Sequence, residues 1–352
     1  MNLLIWLTLF LYTVEASPGD KLKRFKRCFR QCKLVNCVVG TYDSEWEFTP
    51  FNEHLKVLYW TCDQDCDYQC QRIITAERRH KNKNVLQFHG KWPFHRVYGI
   101  QELVSMVFSI GNLIPHAIGL KKLLQQLKTS TSHQATTQTA VLIASCVITC
   151  CAWVFSSIFH VRDFLLTERL DYFFAGLTVL SGLYAITSRY FRLFEPENLI
   201  KLVSSTVLFI SVYSMHVYRL VTDWSYTYNM QANVIVGIVQ NLFMVAVCFG
   251  LYSQYYHDKS TSTNNTMYAK RVLWSSFFTR SDKIFSLYPI FLGTIVILGM
   301  SLEIFDFSPV FHDLVDAHSL WHLVTIIPAS YGWYEWLIWD IRENITPKQK
   351  TQ

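Results

Sequence analysis

The chain has 352 residues, 51% of them hydrophobic and 16% charged, with a mean hydropathy of +0.17 and a formal net charge of +6. That apolar share is more than one compact soluble fold of this length can hide from water, which points to a bilayer as the solvent. The basic residues are dispersed between apolar spans with no nucleic-acid motif among them, which excludes nucleic-acid binding as the reason for the positive charge.

Residues 1–16 read as a signal peptide, in which an apolar core from Leu3 to Tyr12 leads into Val14-Glu15-Ala16 and cleavage is expected after Ala16. The segment lacks Lys and Arg before its apolar core, so an uncleaved anchor is the alternative. Residues 17–96 form the one long polar stretch, expected to be a luminal domain, and hold Cys28, Cys32, Cys37, Cys62, Cys66 and Cys70. An even number of cysteines behind a signal peptide implies disulfides, and the sequence leaves fifteen pairings open. Cys28 and Cys32 lie one helical turn apart, as do Cys66 and Cys70, so two facing helices bridged side by side are expected. A zinc cluster is the competing reading. The spacing is wider than the usual Cys-x-x-Cys and an oxidising lumen favours disulfides.

Apolar runs long enough to cross a bilayer, about 20 residues each, follow at 98–119, 138–160, 171–188, 199–218, 230–252, 284–305 and 317–339. The fold class expected is therefore an all-α membrane protein: a seven-helix core over 97–340 and a cytosolic tail over 341–352. With the N-terminus luminal, thirteen Lys and Arg residues between Lys121 and Lys350 fall on the cytosolic side, against luminal Arg162, Arg169 and Arg219. Trp333, Trp336 and Trp339 crowd the end of the last run, where amphipathic rings commonly sit at headgroup level. Cys146, Cys150, Cys151 and Cys248 lie inside apolar runs and read as small hydrophobes. The sequons at Asn264 and Asn344 fall on the cytosolic side, so neither is expected to carry glycan. Lys348 and Lys350 suit receptor-read retrieval towards the endoplasmic reticulum by cytosolic machinery.

Ionisable side chains in spans are costly, so each is a candidate for function. Ser156 and His160 are four residues apart near the luminal end of the second run, Asp171 opens the third, and His318 and His322 repeat the four-residue spacing in the seventh. Two histidines at that spacing plus a third from a facing helix make a three-ligand zinc site, with a fourth position left for water. Zinc there would suit hydrolysis of an ester or amide. Histidines that simply bond neighbouring helices are the plainer alternative. Glu102, Asn112, Pro115 and His116 spread along the first run and read as helix contacts or a kink. Asp163, Glu303, Asp306, Asp313 and Asp316 read as solvated loop carboxylates.

The segment from His89 to His95 (HGKWPFH), Gln101-Glu102 and Phe108-Ser109-Ile110-Gly111-Asn112 resembles the family of post-GPI-attachment lipid-remodelling proteins. So do Phe159 to Asp163, Thr167-Glu168, Asp171-Tyr172-Phe173 and Asp316 to His322. That family is grouped with alkaline ceramidases and progestin/adiponectin receptors, which share a Ser-x-x-x-His, an Asp and a His-x-x-x-His. On this sequence these fall at Ser156, His160, Asp171, His318 and His322. The resemblance implies an endoplasmic-reticulum or Golgi enzyme that removes the sn-2 acyl chain from the lipid of GPI-anchored proteins, a phospholipase of A2 type. In it His160, His318 and His322 would hold zinc, while Ser156 and Asp171 would be catalytic. An alkaline-ceramidase-like amidase and a lipid receptor or escort without turnover are the alternatives.

Overall fold

The structure, a computed structural model, describes residues 17–38, 43–257 and 268–346. The expected signal peptide, the sequon at Asn264 and the pair Lys348 and Lys350 lie outside the described residues. Among those residues the chain is helical, with three isolated β-bridges and no strand. It divides into two compact units. The first runs up to Val107 and takes in Ser157–Phe164 and Leu302–Leu320, and the second holds the rest.

Helices α1 (Lys23–Cys32) and α2 (Cys62–His80) build the first unit. Thr61 and Gln64 cap α2 reciprocally, acidic Asp63 and Asp65 occupy its first turn, and Arg78, Arg79 and His80 its last, matching the helix dipole at both ends. Disulfides join Cys28 to Cys70, Cys32 to Cys66 and Cys37 to Cys62, with Cα separations of 5.8, 5.5 and 5.8 Å. Since the earlier cysteine of α1 meets the later one of α2, the helices run antiparallel, as the bridged hairpin read from the spacing requires. Cys37, Cys62 and Cys66 cluster closely enough for a metal, but all three are oxidised in these bridges.

Phe88 plugs this small core: it is 1% exposed and its ring lies 4.8 Å from that of Phe25, beside the disulfides. The chain then reverses over His89 and Gly90, whose φ values of 49° and 81° suit a two-residue turn, and Phe88 and Lys91 exchange backbone hydrogen bonds across it. The turn is held from outside as well. The His89 N–H donates to Asp20 and the Gly90 N–H to the Ser17 hydroxyl.

Helix α2 also grips a distant loop. Arg72 and Arg79 both pair with Asp313, whose side chain is 8% exposed. Phe311, His312 and Asp313 all have positive φ, a conformation costing roughly 1–3 kcal/mol for each residue that is not glycine. The two guanidiniums offset that cost. Burial pushes the Asp313 carboxyl up, but the hydrogen bonds from Arg79 and Arg72 outweigh it and hold the group below its ordinary value. Asp313 is thus not the solvated carboxylate that its loop position suggests, because its partners lie far back along the chain.

The long helices are α3 (Leu103–Thr129), α4 (His133–Val161), α5 (Leu165–Tyr190), α6 (Leu199–Thr222), α7 (Tyr226–His257) and α8 (Tyr288–Ile304). Six spans over these segments are long and apolar enough to cross a membrane. None of the most apolar window of the α6 span is buried, and Ile200, Val207 and Met215 lie open on its surface, as a lipid-facing helix permits. Within the second unit α5 packs closely on α7, where a Cβ at Gly182 would come within 2.9 Å of Gln240.

The seventh expected crossing, 317–339, is not one helix. It consists of α9 (Ala317–Ser330) and α10 (Trp333–Asp340), interrupted at Tyr331 and Gly332. Gly332 has φ 88°, and a Cβ there would sit 2.3 Å from the ring of Tyr288, whose hydroxyl donates to the Tyr331 carbonyl. Of the tryptophans expected at headgroup level, Trp333 is half-buried, whereas Trp336 and Trp339 are core, 1% and 0% exposed, and Trp339 Nε1–H donates to Asp282. Nearby, Arg189 pairs with Asp340 through two bonds of 2.6 and 2.9 Å, and Lys122 pairs with Glu335. The side-chain Oδ1 of Asn344 accepts from the Tyr255 hydroxyl.

His89 supplies a test of the turn. Its ring meets Asp67 at 3.0 Å and Asp20 at 3.4 Å, and the Asp67 hydrogen bond raises its pKa above the ordinary 6.5. A raised histidine pKa stabilises the fold fully below the unfolded value and ceases to do so as pH rises through the folded one. Hydrogen exchange over residues 88–91, corrected for intrinsic rates, is therefore expected to speed up as pH climbs above 6.5. His89→Gln is expected to remove that pH dependence.

Candidate metal centre

Two continuous helices, α4 and α9, place four of the five polar residues that the sequence singles out. Helix α4 contains neither glycine nor proline over 29 residues, so nothing bends Ser156 and His160 off their common face. Helix α9 starts from a reciprocal cap, in which the Ser319 N–H donates to Asp316 at 2.8 Å and the Asp316 N–H to the Ser319 hydroxyl at 3.0 Å. His318 therefore sits in the first turn and His322 one turn later. Asp316, read from the sequence as solvated, is the buried cap that fixes this register.

In the first unit His160 is 1% exposed and its ring centroid lies 5.4 Å from that of His318, with ring nitrogens within 4.8 Å of each other. Each ring is fixed by a carboxylate. The His160 Nδ1–H donates to Glu102 at 2.7 Å and the His318 Nδ1–H to Glu303 at 2.7 Å. Both directions follow from the carboxylates, which can only accept when ionised. The other Glu102 oxygen lies 3.1 Å from Lys91 Nζ, which also reaches Asp163 at 2.9 Å and lies 4.0 Å above the Phe159 ring. Burial disfavours the Lys91 ammonium, but Glu102 and Asp163 outweigh that and raise its pKa.

In the second unit His322 is 4% exposed. Its Nδ1 shares a hydrogen bond of 2.9 Å with the Ser109 hydroxyl, which lies 3.2 Å from the Ser156 hydroxyl. Asn112 donates to the His322 carbonyl at 2.8 Å, and the Trp153 ring stands edge-on to the imidazole at 5.3 Å. Asp171 is half-buried in the second turn of α5.

Thus every histidine singled out by spacing has its Nδ1 engaged: by Glu102, by Glu303 and by Ser109. The sequence points to none of these three supports, since Glu102 has the look of a helix contact and Glu303 that of a solvated loop residue. A signal existed for Ser109, which lies three residues before Asn112 and so shares its helix face. For Glu102 and Glu303 the pairing is long-range and left no periodic trace.

A model of the Per1-like family matches residues 52–341. Protein PER1 of Saccharomyces cerevisiae is 37% identical, over 97% of this chain and 96% of its own length. Post-GPI attachment to proteins factor 3 of Drosophila melanogaster is 30% identical, over 91% of this chain and 88% of its own. The GPI-specific phospholipase A2-like protein PGAP3 of Xenopus tropicalis is also 30% identical, over 94% and 93%. No solved structure matches the chain.

Replacing Ser109 with alanine would leave His322 Nδ1 without this partner at a buried position. A loss of about 1–3 kcal/mol of stability is expected, read as a lowered unfolding midpoint of the detergent-solubilised protein. An unchanged midpoint would mean the Ser109 bond contributes nothing.

Proposed function

The chain belongs to the Per1-like family, and on that premise we propose that it remodels GPI anchors by hydrolysing the sn-2 acyl ester of their inositol phospholipid. The names of its relatives support the lipid class. The observation that carries the chemistry is the set of three histidines, each with one ring nitrogen already fixed by a neighbour.

Zinc suits this donor set, because a ligating imidazole ordinarily presents one nitrogen to the metal and has the other held by a carboxylate, carbonyl or hydroxyl. His160, His318 and His322 would hold it through Nε2. When bound, zinc supplies a water of lowered pKa and polarises the ester carbonyl. Asp171 takes the proton from the attacking water and returns it to the departing lysolipid oxygen. The water oxygen bonds to the carbonyl carbon, the ester C–O bond breaks, and a fatty acid and a lysolipid leave. If His322 donates to Ser109 and Ser109 to Ser156, Ser156 has its own proton to give the developing oxyanion.

Around that centre the chain is read as a signal peptide over 1–16, a luminal cysteine-rich domain over 17–96, a membrane core over 97–340 and a cytosolic tail. Helices α9 and α10 together would supply the seventh crossing: their 14 and 8 residues, at 1.5 Å each, reach about 33 Å, near the thickness of a hydrocarbon core. The N-terminus would then face the lumen of the endoplasmic reticulum or Golgi, with Lys348 and Lys350 available to cytosolic retrieval machinery. GPI-anchored proteins would be the partners.

Purified protein supplied with a GPI lipid labelled in its sn-2 chain is expected to release labelled fatty acid, and to leave ceramide intact. Glu102→Gln or Glu303→Gln is expected to weaken zinc binding about 10–100-fold, and His322→Ala to abolish turnover. Ceramide cleavage in place of ester cleavage would favour the amidase, and binding without turnover would favour an escort.

A further inference from the structure

The disulfide-bridged hairpin stands apart from the membrane helices in the sequence, and the proposed reaction assigns it no part. Four observations inside the first unit connect it to the candidate metal centre. Phe88 is buried against Phe25 beside the disulfides. The two-residue turn at His89 and Gly90 is held by Asp20 and Ser17, both from the segment leading into α1. That turn sets down Lys91, whose Nζ lies 3.1 Å from Glu102 and 2.9 Å from Asp163. The other oxygen of Glu102 receives the His160 Nδ1–H at 2.7 Å.

We infer that Lys91 is a positioning residue for the metal centre: carried on the His89-Gly90 turn, it holds Glu102 in the one orientation that fixes the ring of His160. The hairpin is then a brace for a metal ligand. This rests on the zinc reading above but makes a separate claim, that ligand order is imposed from outside the membrane helices.

The geometry favours this over a general packing role. A lysine needed only for bulk would bury its stem and send the ammonium to water. Lys91 instead directs its charge inward, onto two carboxylates and the face of Phe159. Each contact restrains a different degree of freedom. Asp163 and Phe159 belong to the segment that carries His160, so Lys91 ties that segment to Glu102 as well as orienting the carboxylate. The backbone adds to the same join, because the Glu102 N–H donates to the His160 carbonyl at 3.0 Å and the Gln101 N–H to that of Val161 at 3.1 Å.

The test uses the full-length protein in nanodiscs and measures zinc content and zinc affinity by competition with a chromophoric chelator. Lys91→Met keeps the stem and removes the charge; Lys91→Arg restores a charge. Lys91→Met is expected to weaken zinc about 10–100-fold, the range for residues that orient ligands, measured where helix content is still that of wild type, since losing one partner of a buried charge also lowers the unfolding midpoint. Lys91→Arg is expected to recover most of that loss. In combination with Glu102→Gln, Lys91→Met is expected to add little, since it acts through that carboxylate. Wild-type affinity in Lys91→Met, or fully additive losses in the double variant, would overturn the positioning role while leaving the zinc reading intact. A wild-type protein that binds no zinc would overturn both.

Discussion

The carboxylate of Glu102 is a buried negative charge with a lysine on one oxygen and a histidine on the other. A charge taken out of water is tolerable only when its neighbours replace the lost hydration, and removing one partner of such a pair ordinarily costs several kcal/mol. That constraint ties together parts of the chain far apart in sequence: the turn at 89–90, the start of α3, and the end of α4. It also decides which nitrogen of His160 bears the proton, which is the precondition for that ring to serve a metal from its other nitrogen.

The same economy recurs at Asp313. Two arginines of α2 hold this aspartate in a run of three left-handed residues, and the chain passes from there through the Asp316 cap into His318. Both histidine-bearing segments of the first unit are therefore anchored to elements of the disulfide hairpin, one through Lys91 and one through Arg72 and Arg79. A hairpin of only two helices has too little apolar core to bear such loads unaided, and its three disulfides restrict the unfolded chain instead. In the second unit the polar residues Ser109, Ser156 and Asn112 do for His322 what the carboxylates do for the other two.

What could be read in the sequence was whatever repeats locally. Helical periodicity and the four-residue spacings placed Ser156 with His160 and His318 with His322, and the cysteine spacings gave the hairpin. Family resemblance agreed with the membership that the comparisons establish. What stayed hidden depends on contacts between distant segments. The seventh run looked continuous because Gly332 is an ordinary residue of an apolar stretch, and only the ring of Tyr288 makes it a break. Trp336 and Trp339 looked interfacial because sequence shows their amphipathic character but not the helices that bury them. Glu102 looked incidental because Lys91 and His160 reach it from 11 residues before and 58 after.

The account stands or falls on whether the three histidines do chemistry on the anchor lipid. The most direct measurement is the acyl composition of GPI anchors, by mass spectrometry, in cells lacking this protein and supplied with wild type or with His318→Ala/His322→Ala at matched expression. The account predicts that wild type alone returns the sn-2 acyl composition to that of cells with the protein intact. Equal restoration by the double variant would contradict it and leave those histidines as hydrogen-bonding members of a helix bundle.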